Sequence, residues 1–269
     1  MQRAKRGLSE TERRLFAYAQ MRGQTMVRAG ELTRPLRLTP PRERRLLSRL
    51  ARAGWIARVR RGLYLLPPRM ALGGKWTPDE IVALDAVMRD VNGRYQICGP
   101  NTFNRYGFDQ QVPARVYAYN NRLSGERTVG SVQLSLIKVA DARLGGTNIV
   151  TTRDGLPAVY ASRARALVDA VYDWSRFNTL PRAYGWIRRE LKTRRVTPAE
   201  IVDMTLRYGD VGTIRRIEVL LDQQRIDPRL LRRLKKKLRR STGLIPWIPT
   251  AAKRGRIDRR WGVVINGKA

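Results

Sequence analysis

The sequence predicts an α+β chain on three observations: capped, helix-patterned segments ending in two short apolar runs before residue 70, strand-like runs punctuated by Gly, Pro and Asn from 95 to 160, and helical periodicity beyond Ser162. At 269 residues it exceeds one typical domain and can bury a substantial core, so two domains are expected, 1–70 and 75–269, parted near Gly73-Gly74.

Ser9-Glu10-Thr11-Glu12 has the form of a capping box opening a helix over 9–21, with Leu15, Phe16 and Ala19 on its apolar face. Val27 to Leu32 is expected as a short second helix. In the turn RPLRLTPP, Thr39 is placed to cap a third helix over 40–53, with Pro40 at its first position and Gly54 ending it. WIARV and GLYLL follow as two short strands about Arg60-Arg61. Three helices and a small hairpin are the order of a winged helix-turn-helix.

After Trp76, TPDEIVALDAVMRDVNG is a capped amphipathic helix opening the larger mixed α/β domain. YQIC, RVYAY, SVQLSLIKVA, NIVTT and AVYA are expected as strands, GPNTFNRYG as a helical insertion and Asp154-Gly155 as a hairpin turn. Helices are expected over 162–174, 181–193, 198–208, 212–224 and 228–240, with Pro181, Pro198 and Pro228 at three of the starts, and WGVVIN as a closing strand.

Fifty-five Lys plus Arg against 22 Asp plus Glu gives a net charge of +33, which attracts polyanions and opposes compactness. The excess gathers at the ends: residues 1–70 carry 18 basic and 4 acidic side chains, 225–269 carry 15 and 2, and the middle 22 and 16. Arginine outnumbers lysine 46 to 9, as a GC-rich genome would favour, but that bias does not thin the acids at both ends. A single cysteine, Cys98, excludes an internal disulfide framework, and the absence of histidine removes imidazole catalysis and His-based metal sites. The charged N-terminus MQRAKRGLSE runs into an amphipathic segment, and no 18-residue apolar run occurs, so a cytoplasmic protein with no membrane partner is expected.

Residues 42–61 hold eight arginines and one acid, Glu43. On a helix, with Leu47 facing inward, Glu43, Leu50 and Ala51 fall on its side, while Arg42, Arg45, Arg49 and Arg52 line the opposite face, with Ser48 exposed among them. Solvated faces usually mix signs, because like charges at i,i+4 destabilise a helix. An all-arginine stripe fits phosphates and guanine edges, and the helix after the turn is the one that enters the major groove in such units. Arg58, Arg60 and Arg61 surround Gly62, where a tight turn brings the wing close to a sugar-phosphate backbone; Val59, Leu63 and Tyr64 are expected to pack the hairpin onto the helices.

A second basic focus, DPRLLRRLKKKLRR, sets Leu230, Leu231, Leu234 and Leu238 in one stripe beneath Arg229, Arg232, Arg233, Lys235, Lys236, Lys237, Arg239 and Arg240. This surface fits nucleic-acid backbone contact, an acidic partner, an anionic membrane or a plain solvated helix, and the residues alone do not separate these. Catalytic signatures are missing: GxxxxGK[ST], GxGxxG after a strand and GxSxG do not occur. Asp141, Asp154, Asp169 and Asp173 lie nearest the strands but lack the acid and lysine spacing of a metal-dependent nuclease, and Cys98 reads as core. No cofactor and no metal are expected.

In order, GELTRPLRLTPPRERRLLSRLARAGWIARVRRGLYLLPP, YQICGPNTFNRYGF, GLPAVYASRARALVDAVYD and RIDRRWGVVING resemble the AbiEi antitoxin and transcriptional-regulator family of bacterial abortive-infection (type IV toxin–antitoxin) systems, over nearly the whole chain. The resemblance implies a non-enzymatic repressor: an N-terminal winged helix binding double-stranded DNA at inverted repeats in its own promoter, and a C-terminal antitoxin domain countering a nucleotidyltransferase toxin. Its DNA-reading positions fall on the arginines of 40–53 and the wing Arg58 to Arg61. Ser162, Arg163, Arg165 and Asp169 stand where the family has a polar, basic and acidic signature, although it often has an acid where Arg163 and Ala164 stand; an i,i+4 pair of Arg165 with Asp169 explains them equally well. The alternatives from other classes are a metal-dependent nuclease with a winged-helix targeting domain and an RNA- or toxin-binding module.

Overall fold

The computed structural model of the chain describes residues 8–70, 75–152, 155–238 and 243–267. The capping box holds: Ser9 Oγ accepts from Glu12 N, Glu12 Oε2 accepts from Ser9 N at 2.7 Å, and α1 spans Glu10–Met21. The expected second helix does not form. Met26–Arg28 is strand β1, and 29–37 runs as successive turns. The apolar spacing of this segment suits either state, and pairing with a strand nearly forty residues away decides it: Val27 lies opposite Tyr64. Helix α2, Pro40–Ala53, starts on a proline that needs no N–H partner and ends at Gly54 in the left-handed region, φ 79°. Thr39 is the N-cap residue, but its side chain makes no capping bond.

Strands β2 (Ala57–Arg60) and β3 (Leu63–Leu65) form the hairpin, with Arg61 and Gly62 at the tip, and the sheet order is β1-β3-β2. One face, with Val27, Ile56, Tyr64 and Leu66, packs against Leu15, Phe16, Leu47 and Leu50 of α1 and α2. The other does not face these helices: Ala57 and Leu65, with Val59 and Met26 beside them, join a second core. That core is built on α3 (Glu80–Asp90, capped by Asp79) and a larger sheet.

The larger sheet comprises β4 (Tyr95–Ile97), β5 (Val116–Asn120), β6 (Gly125–Val129), β7 (Val132–Lys138), β8 (Thr147–Thr151) and β9 (Pro157–Ala161), ordered β6-β7-β5-β4-β9-β8, with helix α4 (Pro100–Arg105) after β4. Strand β6 was not expected. Its tight hairpin with β7 turns at Gly130, φ 62°, where a Cβ would lie 3.2 Å from both Ala57 and Pro78, so the hairpin seats directly against the wing strand. Gly155 has a positive φ of 76° in the β8–β9 connection, but Asp154 lies outside the described residues.

Helices α5 (Arg163–Tyr172), α6 (Trp174–Phe177), α7 (Arg182–Lys192), α8 (Pro198–Tyr208), α9 (Val211–Gln223) and α10 (Pro228–Lys237) form a bundle around Leu167, Tyr184, Ile201, Ile217 and Leu234. A small sheet of β10 (Ile245–Pro246), β11 (Arg256–Asp258) and the expected closing strand β12 (Val263–Ile265) covers it. The architecture is α+β. Among the described residues, no helix is long and apolar enough to cross a membrane.

Sheet and bundle are joined at Asp169 of α5. Arg165 Nε reaches both carboxylate oxygens at 2.8 and 2.9 Å, its Nη groups donate to the carbonyls of Gly145 and Arg143, and its guanidinium lies 3.7 Å from the Tyr208 ring centre. Arg143, stacked on Tyr172, reaches the same carboxylate at 3.4 Å. Burial pushes the Asp169 carboxyl up, opposed by the two guanidinium groups. Ser162 caps α5 and Arg163 pairs with the buried Glu190 at 2.7 Å. Asp173 accepts from Tyr119 at 2.5 Å, and Cys98 is wholly buried beside that tyrosine.

One buried acid has no such partners. Both carboxylate oxygens of Glu218 in α9 lack a hydrogen bond among the described residues, and burial pushes its pKa up to about 8 against the pull of Arg260, Lys235 and Arg215. Between pH 4.5 and 8 the unfolded chain loses a proton that the folded chain keeps, so this residue lowers stability as pH rises through that window. Glu218→Gln should therefore gain on the wild type steadily from pH 5 to 8 in denaturant titrations; a difference independent of pH contradicts this.

Candidate nucleic-acid interface

The outer face of α2 is built from the inside. Leu46, Leu47 and Leu50 anchor the helix in the N-terminal core. Glu43 is buried as well, and its two oxygens accept from Gly30 N at 2.6 Å and Leu32 N at 2.8 Å. The acid of the basic stretch thus ties the helix to the turn preceding it. Buried amides without partners are costly, so this carboxylate holds that turn in place. Sequence spacing put Glu43 inward; its partners were not foreseen.

Arg42, Arg45, Ser48, Arg49 and Arg52 are all exposed on the opposite side. Arg42, Arg45 and Arg49 line a groove of about 500 Å³ between α2 and the start of α1, beside Ser9, Thr11 and Leu38. Arg52 lines a second cleft, of about 490 Å³, with Arg58 of the wing, Lys75, Thr77 and the Thr128 to Ser131 hairpin. Helix and wing therefore present their cations together, and the larger sheet contributes hydroxyls to the same cleft.

These arginines are not equivalent. Among the described residues, no carboxylate lies within salt-bridge distance of Arg42, Arg45, Arg52, Arg58 or Arg61. Arg49 is held by Glu12 of α1, with Nη2 to Oε1 at 3.0 Å. Burial pushes the Glu12 carboxyl up, but bonds from Ser9 and the charge of Arg49 bring it below its ordinary value. Arg60 is gripped by Asp90 at the end of α3, 2.5 Å from Nε to Oδ2 and 2.7 Å from Nη2 to Oδ1. Sequence spacing shows Glu12 only as part of a capping box and does not mark Asp90, since each of these pairs joins residues 30 or more apart.

The other basic focus lies elsewhere. Helix α10 packs through Leu231 and Leu234 into the bundle core, leaving Arg229, Arg232, Arg233, Lys235, Lys236 and Lys237 exposed, with Arg233 paired to Asp203 at 2.7 Å; Arg239 and Arg240 lie outside the described residues. Asp141, Asp169 and Asp173 serve separate hydrogen bonds and ion pairs. Among the described residues, no group of three or more His, Cys, Asp or Glu side chains gathers as a metal site.

The helix and wing that carry this surface are also the segment with a known counterpart. Residues 40–67 match the family of AbiEi antitoxin transcriptional regulators. The match covers α2, β2 and β3, the elements bearing the arginine stripe. Across the whole chain, the fold is similar to the crystal structure of the RV2827C protein from Mycobacterium tuberculosis, with a TM-score of 0.58 at 16% identity, covering 97% of this chain and 93% of that one. No curated protein matches the chain.

Glu43→Ala should leave the Gly30 and Leu32 amides unpaired and cost about 3 kcal/mol in denaturant unfolding. A loss below about 0.5 kcal/mol would show that water replaces the carboxylate.

Proposed function

We propose that the chain is a DNA-binding transcriptional repressor and antitoxin of a type IV toxin–antitoxin system, which autoregulates its operon and counteracts a nucleotidyltransferase toxin. In this reading residues 1–70 form the DNA-binding head and 75–269 the antitoxin domain. The observation that carries it is the row of exposed arginines on α2 beside the wing, of which Arg42, Arg45 and Arg52 have no carboxylate partner among the described residues, within the segment matching AbiEi transcriptional regulators. Arg45 and Arg49, midway along the exposed face, read bases; Arg58 on the first wing strand and Arg61 at the wing tip meet phosphates. Ser48 lies between the readers, and Arg42 and Arg52 flank them. In this reading Glu12 lends Arg49 a fixed direction. The cations of α10 are a second surface, turned toward the toxin or its anionic substrate.

Fluorescence titration of a promoter duplex and a scrambled duplex at several salt concentrations tests the division of labour. Arg45→Ala should cost roughly 1–3 kcal/mol on the promoter and relax specificity, while Arg61→Ala should weaken both duplexes and shallow the salt slope by about one unit. Equal effects of both changes on both duplexes would refute it.

Antitoxicity is expected to be separable from DNA reading. Deleting 1–70 is a poor test, because Ala57 and Leu65 belong to the core around α3. The combined change of Arg42, Arg45, Arg49 and Arg52 to Ala, expressed from a foreign promoter with the toxin, should abolish repression and still protect growth. A folded variant that fails to protect would place toxin control on the DNA-reading face.

A further inference from the structure

The wing holds one cation in a way that α2 does not. Arg60 is about half exposed, yet its guanidinium is closed on Asp90, whose side chain is only 8% exposed. Arg28 of β1 adds a third bond to the same carboxylate, Nη1 to Oδ1 at 3.2 Å. Two cations thus converge on one acid that belongs to neither α2 nor the wing, but to the first helix of the core behind them. At the same hairpin Arg58 and Arg61 have no carboxylate partner among the described residues. The Asp90 carboxyl is held below its ordinary range, chiefly by the bond from Arg60, and so stays ionised at neutral pH.

We propose that Asp90 is a specificity-determining residue for DNA: by holding Arg60 and Arg28 against α3 it withholds two cations from the sugar-phosphate backbone. This rests on the DNA-binding reading above. Each phosphate neutralised by a protein cation steepens the salt dependence by about 0.9 and strengthens binding to any sequence alike. A protein with a net charge of +33 has sequence-independent affinity in excess, and discrimination depends on limiting it. The clamp limits it where it matters most. A free Arg60 could engage a backbone without α2 seated in a groove, whereas a clamped one leaves the wing to Arg58 and Arg61, whose reach is set by the docking of α2. The bidentate fork matters here, since a lysine at the same place cannot hold both carboxylate oxygens.

The test measures salt-dependent binding of the full chain to a scrambled duplex and to a duplex from its own promoter. Asp90→Asn should tighten scrambled binding about threefold to tenfold near 0.1 M salt, steepen its slope by about one to two units, and narrow the gap between the duplexes. Adding Arg60→Gln and Arg28→Gln to Asp90→Asn should remove most of the gain. Arg60→Lys, which keeps both the charge and the acid, should move the scrambled slope in the same direction as Asp90→Asn and keeps the test open if that variant folds poorly. Wild-type slopes in a folded Asp90→Asn protein, or a gain that survives in the triple variant, would overturn the proposal. Should the wild type bind neither duplex, the DNA-binding reading falls and the proposal with it; binding by the wild type with no response to Asp90 removes the proposal alone.

Discussion

The sheet β1-β3-β2 is covered on both faces, and the position of the arginine stripe depends on it. Residues alternate between two cores along each strand: Val27 against Met26, Ile56 against Ala57, and Tyr64 and Leu66 against Leu65. A slip of one residue would exchange the faces, placing Tyr64 where Gly130 and Ala57 meet at close range. Because both cores are close-packed, the sheet fixes how α2 stands relative to α3 and the β6–β7 hairpin. The cleft shared by Arg52, Arg58 and Thr128 is a product of that double burial.

Arginine does two different jobs in this chain. In the bundle it behaves as a core residue. Arg165 is wholly buried, stacked on Tyr208 and bonded to Asp169, while Arg215 and Arg216 are buried with bonds to the carbonyls of Gly243 and Pro246. A planar guanidinium with five donors can bridge a carboxylate, two carbonyls and a ring face at once, which an ammonium cannot. Removing Asp169 from such a site would leave buried cations uncompensated, a costlier loss than that of any surface pair. On α2 and the wing the same side chain is exposed and, among the described residues, mostly without a carboxylate partner. Net charge alone does not distinguish the two uses; burial and partners do.

Local signals carried much of the fold. The capping box of α1, the Pro40 start and Gly54 stop of α2, and the prolines opening α8 and α10 act within a few residues, and the structure has these helices where those residues set them. Arg165 and Asp169 were legible as a pair for the same reason, being one helical turn apart. What was missed is settled at a distance. Residues 125–128 are polar and exposed on an outer edge, with only Val129 buried, so β6 shows no apolar alternation and exists through its pairing with β7. Met26–Arg28 is a strand because β3 is its partner. In the interface, spacing along α2 placed the stripe and the inward Glu43, but the acids that divide its arginines into held and free lie on α1 and α3.

Glu43 ties α2 down through its buried side, by a carboxylate that serves two backbone amides and asks nothing of the exposed residues. Scaffold and lettering are thereby uncoupled. The face that meets solvent can be rewritten at positions 42, 45, 48 and 52 without touching a group that sets the angle of the helix, whereas position 49 is bound to α1 and cannot be changed so freely. Divergence among proteins built on this head, or redesign of it in the laboratory, can proceed one letter at a time on a constant mount.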